Sequence, residues 1–233
     1  RALRSAGHRT GLFTSPHLVD YRERIRASGR WVDLAWLEAT LERIQALPDA
    51  HDRTFFEVTT ALAFADFAAR GVEWAVVEVG LGGRLDCTNV ITPDVCAITS
   101  IGLDHTEILG ESLEAIAREK AGILKPGVPV VTAVDPGGPL DVIERAAAER
   151  RAPLEIASLV APVWPGERSR AFRAVTETWG DLVLEVALGG DQAANVSCAL
   201  AVLNRLARRG LEIPREAIER GFQWGDEIPI GLF

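Results

Sequence analysis

The stretch "VEWAVVEVGLGGRLDCTN", residues 72–89, joins an apolar run to a loop that contains three glycines. An apolar run that ends in glycine is typical of a strand buried in a parallel sheet. The same criteria place further strands at residues 10–14, 95–101 and 128–134. Helical periodicity separates these strands, at residues 33–47, 56–70, 111–124 and 139–151. This alternation predicts an α/β fold in which helices flank a mostly parallel sheet.

The pattern changes after about residue 152. The segment "FRAVTETWGDLVLEVAL", residues 172–188, consists of two β-rich runs on either side of Trp179-Gly180-Asp181. Two such runs around a short turn predict an antiparallel hairpin. Helical patterns follow at residues 191–209 and 214–222. The sequence therefore predicts a small antiparallel β segment after the parallel sheet.

Composition narrows the classes of function. The chain has 233 residues, of which 48% are hydrophobic and 25% charged, so it can bury one sizeable core. Its formal net charge of -8 argues against nucleic acid or a membrane surface as a partner, because both attract clustered positive charge. No apolar run reaches the roughly 20 residues of a membrane span. Three scattered cysteines without a CxxC pair favour a reducing, cytoplasmic compartment over a zinc site or a disulfide framework.

Charged side chains follow two of the predicted strands. Glu78 lies at the carboxyl end of the first quoted run, and Asp104 and His105 follow the strand over residues 95–101. Open α/β sheets bind ligands at the carboxyl ends of their strands, so an acid and a histidine on this rim predict a metal site. A structural alternative stays open, because Glu78 borders a glycine turn and a lone histidine is more often structural than a ligand.

Both lysines of the chain, Lys120 and Lys125, lie in one short stretch, whereas arginine occurs at 23 positions. Arginine serves a solvated surface as well as lysine does, but only an amine can lose its proton and react. This scarcity favours a chemical role for Lys120, in a helix that starts near Ser112. The alternative is a solvated lysine beside Glu119. Lys125 is interpreted as a cation at the helix C-terminus, where it complements the helix dipole.

Two more segments contain candidate polar residues. Ser15 precedes Pro16, so its backbone is expected to be extended, which lets its hydroxyl face the same rim. Thr54 stands before a helical pattern and Glu57 follows three residues later, which predicts a capping box. Capping accounts fully for both of these residues.

Five segments occur in the order found in the bacterial dihydrofolate synthase and folylpolyglutamate synthase family, a branch of the Mur ligases. They are "TSPHLVDYRERI", "FFEVTTALAFADFA", "EVGLGGRLDCTNV", "SIGLDHTEILGESLEAIAREKAGILKPGVPVV" and "GDQAANVSCAL". The resemblance covers about residues 1–210, and the combination is far more specific than any single motif. It implies the Mur-ligase central ATP-binding domain, with a fold of the P-loop type.

The resemblance implies a magnesium site and a modified lysine. Ser15, Glu78 and His105 correspond to the family's magnesium ligands. Glu78, His105 and Lys120 are the implied catalytic residues. In the family the lysine of the EKAGI motif is carbamylated, so Lys120 would carry a carboxylate near magnesium and ATP. Arginine cannot take this modification, which accounts for a lysine at this position.

The resemblance also implies contacts to ATP and to the substrate. Asn195 corresponds to an asparagine that contacts ATP, as Lys120 does, although the family often has histidine where this chain has Asp191. The residues that would bind the pteroate come from two segments, namely Thr54, Phe55, Phe56 and Glu57, and Leu85, Asp86 and Cys87.

The implied reaction is the ATP-dependent addition of L-glutamate to dihydropteroate or a reduced folate. The substrate carboxylate attacks the γ-phosphate of ATP, an acyl phosphate forms, and the glutamate amine displaces phosphate. Magnesium and lysine neutralise the developing charge, as is usual in phosphoryl transfer. We expect a monomer that works in the cytoplasm.

The domain limits predicted from the resemblance leave parts of the family's proteins unaccounted for. Residues 1–222 would form the central domain and residues 223–233 a divergent tail. The sequence contains neither the family's GTNGKGS phosphate loop, expected just before Arg1, nor its C-terminal glutamate-ligase domain. Methionine is absent as well. We therefore expect a fragment that has no ligase activity of its own.

Two alternative functions stay open. Another Mur ligase, acting on a UDP-muramyl peptide, would share the magnesium, the carbamylated lysine and the phosphate loop, but the SPHL and TFFE segments favour folate. A non-catalytic folate-binding remnant would account for the missing phosphate loop and C-terminal domain.

Overall fold

The structure is a computed structural model that describes residues 1–157, 160–165, 169–187 and 192–223. Its strands form three separate sheets. Of the tail predicted over residues 223–233, only Gln223 is among the described residues. Within these ranges, no helix has both the length and the apolar character that crossing a membrane requires.

The first sheet has the strand order β3-β2-β1-β4. Its strands are β1 (Thr10–Phe13), β2 (Ile25–Ala27), β3 (Arg30–Trp31) and β4 (Trp74–Val77). β1 runs parallel to β4, with Thr10 opposite Trp74, and antiparallel to β2. The strands predicted at residues 10–14 and 72–80 are confirmed. β2 and β3 are not evident from the sequence, because each is too short to show a two-residue period.

The other two sheets contain three strands each within the described ranges. The second is parallel, in the order β5-β6-β7, and its strands are β5 (Cys96–Ile98), β6 (Val130–Thr132) and β7 (Leu154–Ile156). The third is antiparallel, and its strands are β8 (Ala161–Pro165), β9 (Ser169–Thr176) and β10 (Gly180–Ala187). The β9–β10 hairpin confirms the antiparallel segment predicted over residues 172–188.

The predicted helical patterns all coincide with helices. The α-helices of the described ranges are α1 (Ala2–Ser5), α2 (Leu34–Gln45), α3 (Phe55–Ala69), α4 (Thr106–Leu109), α5 (Leu113–Lys120), α6 (Gly138–Glu149), α7 (Gln192–Arg208) and α8 (Arg215–Phe222). Short 3₁₀ turns lie at Tyr21–Arg24, Ala50–Asp52, Cys87–Val90 and Ala121–Ile123. The helix predicted over residues 111–124 is shorter than expected, because α5 ends at Lys120 and a 3₁₀ turn follows it.

Each sheet has its own apolar core. In the first, Phe13 and Ile25 are fully buried in a cluster that includes residues of α3. In the second, Val130 of β6 and Ile143 of α6 are fully buried. In the third, Leu182 of β10 packs in a cluster with residues of α7 and α8. Burying a side chain of this size stabilises the fold by about 1.5–3 kcal/mol. These clusters fix the strands whose ends carry the candidate site.

A gap separates β4 from β5. The two strands are not hydrogen-bonded to each other in the part of the chain that the structure describes, and both line a cavity of about 1050 Å³. The apolar sequence of β4 predicts burial on both faces, and this prediction is wrong: Val76 lines the cavity and is 54% exposed. The parallel strands and flanking helices of the predicted α/β fold are confirmed, but they are divided between two sheets with a cavity between them.

Candidate active site

The cavity between β4 and β5 contains three of the predicted site residues. Glu78 reaches it from the end of β4, Lys120 from the end of α5, and Asn195 from α7. These positions are far apart in the sequence, so the fold alone brings them to one cavity. Asp191, which precedes Asn195 in the sequence, lies outside the described residues.

Glu78 is positioned by the parallel pairing of β1 and β4. Its backbone N–H donates to the carbonyl of Phe13 at 3.0 Å, which extends the pairing by one residue. Its Oε2 accepts a hydrogen bond of 2.8 Å from the backbone N–H of Ser15. The carboxylate faces the cavity and is accessible to solvent, yet the surrounding protein walls desolvate it and raise its pKa. A charged carboxylate with this environment would be stabilised by a nearby cation.

The predicted magnesium ligands are brought together only in part. Ser15 contacts Glu78 through its backbone N–H, and a serine hydroxyl and a carboxylate are oxygen ligands of the kind that magnesium prefers. His105 is not among the residues that line the cavity, and its side chain is 53% exposed. Its ring nitrogens lie 3.7 Å from Asp104 and 4.0 Å from Glu107. In the described ranges, no three His, Cys, Asp or Glu side chains form a cluster that could hold a metal.

Lys120 is the last residue of α5, and its amine has no hydrogen-bond or ion-pair partner among the residues that the structure describes. The neighbouring Glu119 instead pairs with Arg84, whose guanidinium lies 3.1 Å from its carboxylate. Lys120 is therefore not paired with Glu119, and its chemical role and the alternative of a solvated lysine beside Glu119 both stay predictions. Lys120 is half-buried and is one of the residues that line the cavity.

The glycine loop docks on the end of α5. The backbone N–H of Arg84 donates to the carbonyl of Glu119 at 2.9 Å. A Cβ at Gly83 would lie 2.8 Å from the side chain of Ile123 and 3.0 Å from that same carbonyl. Because such distances are too short for a side chain, glycine is what allows the loop to approach the helix. The loop after β4 and the helix that carries Lys120 are thus held together.

Asp86 stabilises this loop from inside. Its carboxylate accepts hydrogen bonds from the backbone N–H groups of Gly80 and Leu81, at 3.0 and 3.1 Å, and from both the backbone and the hydroxyl of Thr88. These contacts hold the predicted substrate-binding residue Leu85 outward, where it is 81% exposed. Asp86 therefore positions the loop, whereas Leu85 presents an apolar surface to solvent.

The start of α3 has the capping box predicted from the sequence. Thr54 Oγ1 accepts from the backbone N–H of Glu57, and the Glu57 carboxylate accepts from the backbone N–H of Thr54 at 2.8 Å. The hydrogen bond from that backbone N–H lowers the pKa of Glu57. Phe56 packs on the ring of Phe13, with centroids 5.7 Å apart. Phe55 is 61% exposed, so it is the residue of this segment that presents an apolar face to solvent.

The two predicted substrate-binding segments are adjacent. Cys87 Sγ lies 3.5 Å from the hydroxyl of Thr60 on α3, which joins the glycine loop to the helix that Thr54 caps. Tyr21 and Arg24 lie against the ring of Phe55, at 5.8 and 5.5 Å from its centroid. These contacts with Phe55 were not evident from the sequence, because no spacing rule links residues of the 3₁₀ turn Tyr21–Arg24 to α3.

Lys125 also lines the cavity, and the helix-dipole interpretation of this residue is wrong. Since α5 ends at Lys120, Lys125 lies beyond both the helix and the 3₁₀ turn that follows. Its Nζ donates a hydrogen bond of 2.6 Å to the carbonyl of Asn89. The argument from the scarcity of lysine holds for Lys125 as well as for Lys120, so the sequence was sufficient to make Lys125 a site candidate.

Known proteins resemble this chain over nearly its whole length. The human mitochondrial folylpolyglutamate synthase is 37% identical, over 98% of this chain and 38% of its own. The dihydrofolate synthase/folylpolyglutamate synthase of Bacillus subtilis is 34% identical, over 94% of this chain and 54% of its own. The chain thus spans about half or less of the length of these curated relatives.

Two solved structures are also similar to this chain. An FPGS complex with AMPPCP and folate has a TM-score of 0.83 and 32% identity, over 96% of this chain and 58% of its own. Escherichia coli FolC in complex with DHPP and ADP has a TM-score of 0.78 and 34% identity, over 95% and 51%. Residues 31–149, about half of the chain, match the family described as the Mur ligase middle domain. By this match, and with the fold and cavity described above, the chain belongs to the Mur ligase middle domain family.

Proposed function

We propose that the complete protein adds L-glutamate to dihydropteroate, to a folyl-(poly)glutamate, or to both, at the expense of ATP and through an acyl phosphate. This activity serves folate biosynthesis. The observation that carries the proposal is the meeting of Glu78, Lys120 and Asn195 in one cavity, in a chain similar over nearly its whole length to folylpolyglutamate synthases.

In this proposal, residues at and beside the cavity bind magnesium and ATP and so stabilise the charges of the reaction. Ser15 and Glu78 would hold magnesium, which when bound neutralises phosphate oxygens and so favours attack by the substrate carboxylate. Asn195 contacts ATP from α7. The raised pKa of Glu78 supports this role, because desolvation leaves its charge in need of a cation. His105 would join these ligands only after its loop moves toward the cavity.

Lys120 is proposed to act as a carbamate. Its neutral amine attacks the carbon of CO₂, a C–N bond forms, and a proton is lost to solvent, which leaves a carboxylate at the end of the side chain. Lys120 is suited to this step because no described residue pairs with its amine and because this residue lines the cavity. The modification adds a carboxylate to the cavity that Glu78 also lines. Arginine could not replace it.

The substrate is proposed to bind across the two adjacent segments beside the cavity. Phe55 and Leu85 offer the exposed apolar surface that a flat pterin-type ring requires. Phe56 supports that surface by packing on Phe13. The polar members of these segments, namely Thr54, Glu57, Asp86 and Cys87, hold the backbone in place through the contacts described above. We also propose that the protein is a monomer and that it works in the cytoplasm, the location being in keeping with the free cysteines.

The test uses the complete protein that contains this chain. ADP release is measured with magnesium and L-glutamate, with either dihydropteroate or tetrahydrofolate as the acceptor, and with a UDP-muramyl peptide and its own amino acid as the alternative pair. Turnover with either pterin supports the proposal and identifies the activity. Turnover with the muramyl peptide alone would move the function to cell-wall synthesis, and ligand binding without turnover would leave the folate-binding remnant.

A further inference from the structure

A second cleft lies between α5 and α6, apart from the cavity that contains Lys120. Its volume is about 320 Å³, and four arginines line it, namely Arg84, Arg118, Arg145 and Arg150. They come from three different elements: the glycine loop, α5, and α6 with its C-terminal cap. Such a concentration of positive charge is unexpected in a chain with a formal net charge of -8.

The approach of the loop to the cleft depends on a glycine. A Cβ at Gly122, in the 3₁₀ turn after α5, would lie 2.3 Å from Cβ of Arg84. No other residue type would let Arg84 lie so close to this turn. The fold therefore brings the arginine of the glycine loop to the arginines of the two helices.

Nearby carboxylates neutralise only half of this positive charge. Arg84 pairs with Glu119 at 3.1 Å, and Arg150 lies 3.9 Å from Glu149, an exposed carboxylate. The guanidinium of Arg145 donates to the backbone carbonyl of Asp141, which is uncharged. Arg118 has no partner among the residues that the structure describes. Four guanidinium groups thus face two carboxylates, Glu119 and Glu149.

The remaining residues that line the cleft are mostly apolar. Ala121, Val142 and Ala146 contribute apolar surface, and Glu149 is the only acidic residue among the described lining residues. Guanidinium groups bind phosphate and carboxylate oxygens in pairs, through parallel N–H groups. A cleft of this size is at the lower end of the range for small-ligand sites.

We propose that this cleft is a binding site for a small polyanion that carries two or more phosphate or carboxylate groups. One group of the ligand binds Arg118, whose charge is unpaired, and another binds Arg145 or Arg150 across the cleft. The site is separate from the cavity proposed to bind ATP, because Arg118 and Lys120 line different cavities.

The experiment titrates the complete protein by calorimetry, in magnesium-free buffer at low salt, with tripolyphosphate in one series and citrate in another. We expect one of these probes, or both, to bind the wild type. Arg118→Glu should weaken that binding by at least about tenfold, because a charge-assisted hydrogen bond is lost and a repulsive charge is added. Arg145→Glu should act in the same direction. Binding of tripolyphosphate alone would identify a phosphate ligand, and binding of citrate alone a carboxylate ligand.

Two variants serve as controls. Arg43→Glu, on the exposed face of α2, changes the net charge by the same amount and should alter the affinity by less than about twofold. Arg30→Glu, at an exposed position of β3, should likewise alter the affinity by less than about twofold. Circular dichroism confirms that each variant is folded. The proposal is overturned if neither probe binds, if Arg118→Glu leaves binding unchanged, or if Arg43→Glu or Arg30→Glu weakens binding as much as Arg118→Glu.

Discussion

The backbone N–H of Ser15 donates a 2.8 Å hydrogen bond to the carboxylate of Glu78. This contact ties the loop after β1 to the end of β4, and it is the one hydrogen bond that this carboxylate accepts from the described residues. The carboxylate faces a cavity whose walls raise its pKa. Without a nearby cation, the ionised carboxylate is therefore poorly stabilised. The effect on the stability of the fold can be measured.

Replacing Glu78 with glutamine should increase thermal stability at neutral pH in metal-free buffer. Because the pKa of Glu78 is raised in the folded protein, its contribution to stability is complete below the unfolded value of 4.5 and is lost as pH rises through the folded pKa. Glutamine does not ionise, so Glu78→Gln should match the wild type at acidic pH and exceed it at neutral pH. Melting temperatures measured by circular dichroism from acidic to neutral pH test this prediction.

Glu57→Gln is the matched control, with the opposite sign. The pKa of Glu57 is lowered by hydrogen bonds from Thr54, so its contribution is present above 4.5 and is lost as pH falls through the lowered folded value. This variant should therefore be less stable than the wild type at neutral pH and converge with it in acid. Shifts of the same sign for both variants would contradict the assignment of the two environments.

Replacing Lys120 with alanine should reduce turnover of the complete protein by at least about 100-fold, as the loss of one preorganised charged group usually does. If the active form is a carbamate, added formate or acetate should restore part of the activity, because it returns a carboxylate to the cavity. Lys120→Arg keeps the positive charge and should be inactive. An active Lys120→Arg enzyme would show that the positive charge, and not a carbamate, is what the site needs.

Gly83→Ala should destabilise the fold by about 1–3 kcal/mol, the range typical of overpacking. The added methyl group would collide with Ile123 and with the carbonyl of Glu119, so the loop must move away from α5. Gly102→Ala is the control, because a Cβ at Gly102 has no neighbour within 4 Å. Urea unfolding of both variants measures the difference. Equal stability of the two variants would mean that the loop is not docked on the helix.

Thr54→Ala should cost about 1 kcal/mol of folding stability, because α3 loses its N-cap. Thr54→Ser keeps the hydroxyl oxygen and should retain most of that stability. Chemical denaturation of the two variants in parallel isolates the cap from the effect of side-chain size. A Thr54→Ser variant as unstable as Thr54→Ala would assign the loss to packing of the methyl group.

Local patterns in the sequence were sufficient for much of the fold. The capping box at Thr54 and the strand that ends at Glu78 follow from spacing and periodicity, because both depend on neighbours a few residues away. The placement of Glu78 at the carboxyl end of a parallel strand was enough to make it a site candidate. These predictions depend only on interactions between residues that are close to each other in the sequence.

What the sequence could not predict depends on contacts between distant segments. No local pattern distinguishes one parallel sheet from two sheets separated by a cavity, so the exposure of Val76 was missed. The hydrogen bond between Lys125 and Asn89 joins segments that no spacing rule connects. The position of His105 outside the cavity lining depends on a loop conformation, including a left-handed backbone at this residue, that composition does not encode.

The cavity between β4 and β5 has a consequence for handling the protein. Strand edges that lack a neighbouring strand present N–H and C=O groups to solvent, and such edges act as templates for strands of other molecules. The apolar side chains of β4, of which Val76 is exposed, increase this tendency. If nothing covers these edges, we expect molecules of this chain to associate at high concentration while their helices remain intact. Solubility, rather than loss of secondary structure, would then limit how concentrated a sample can be.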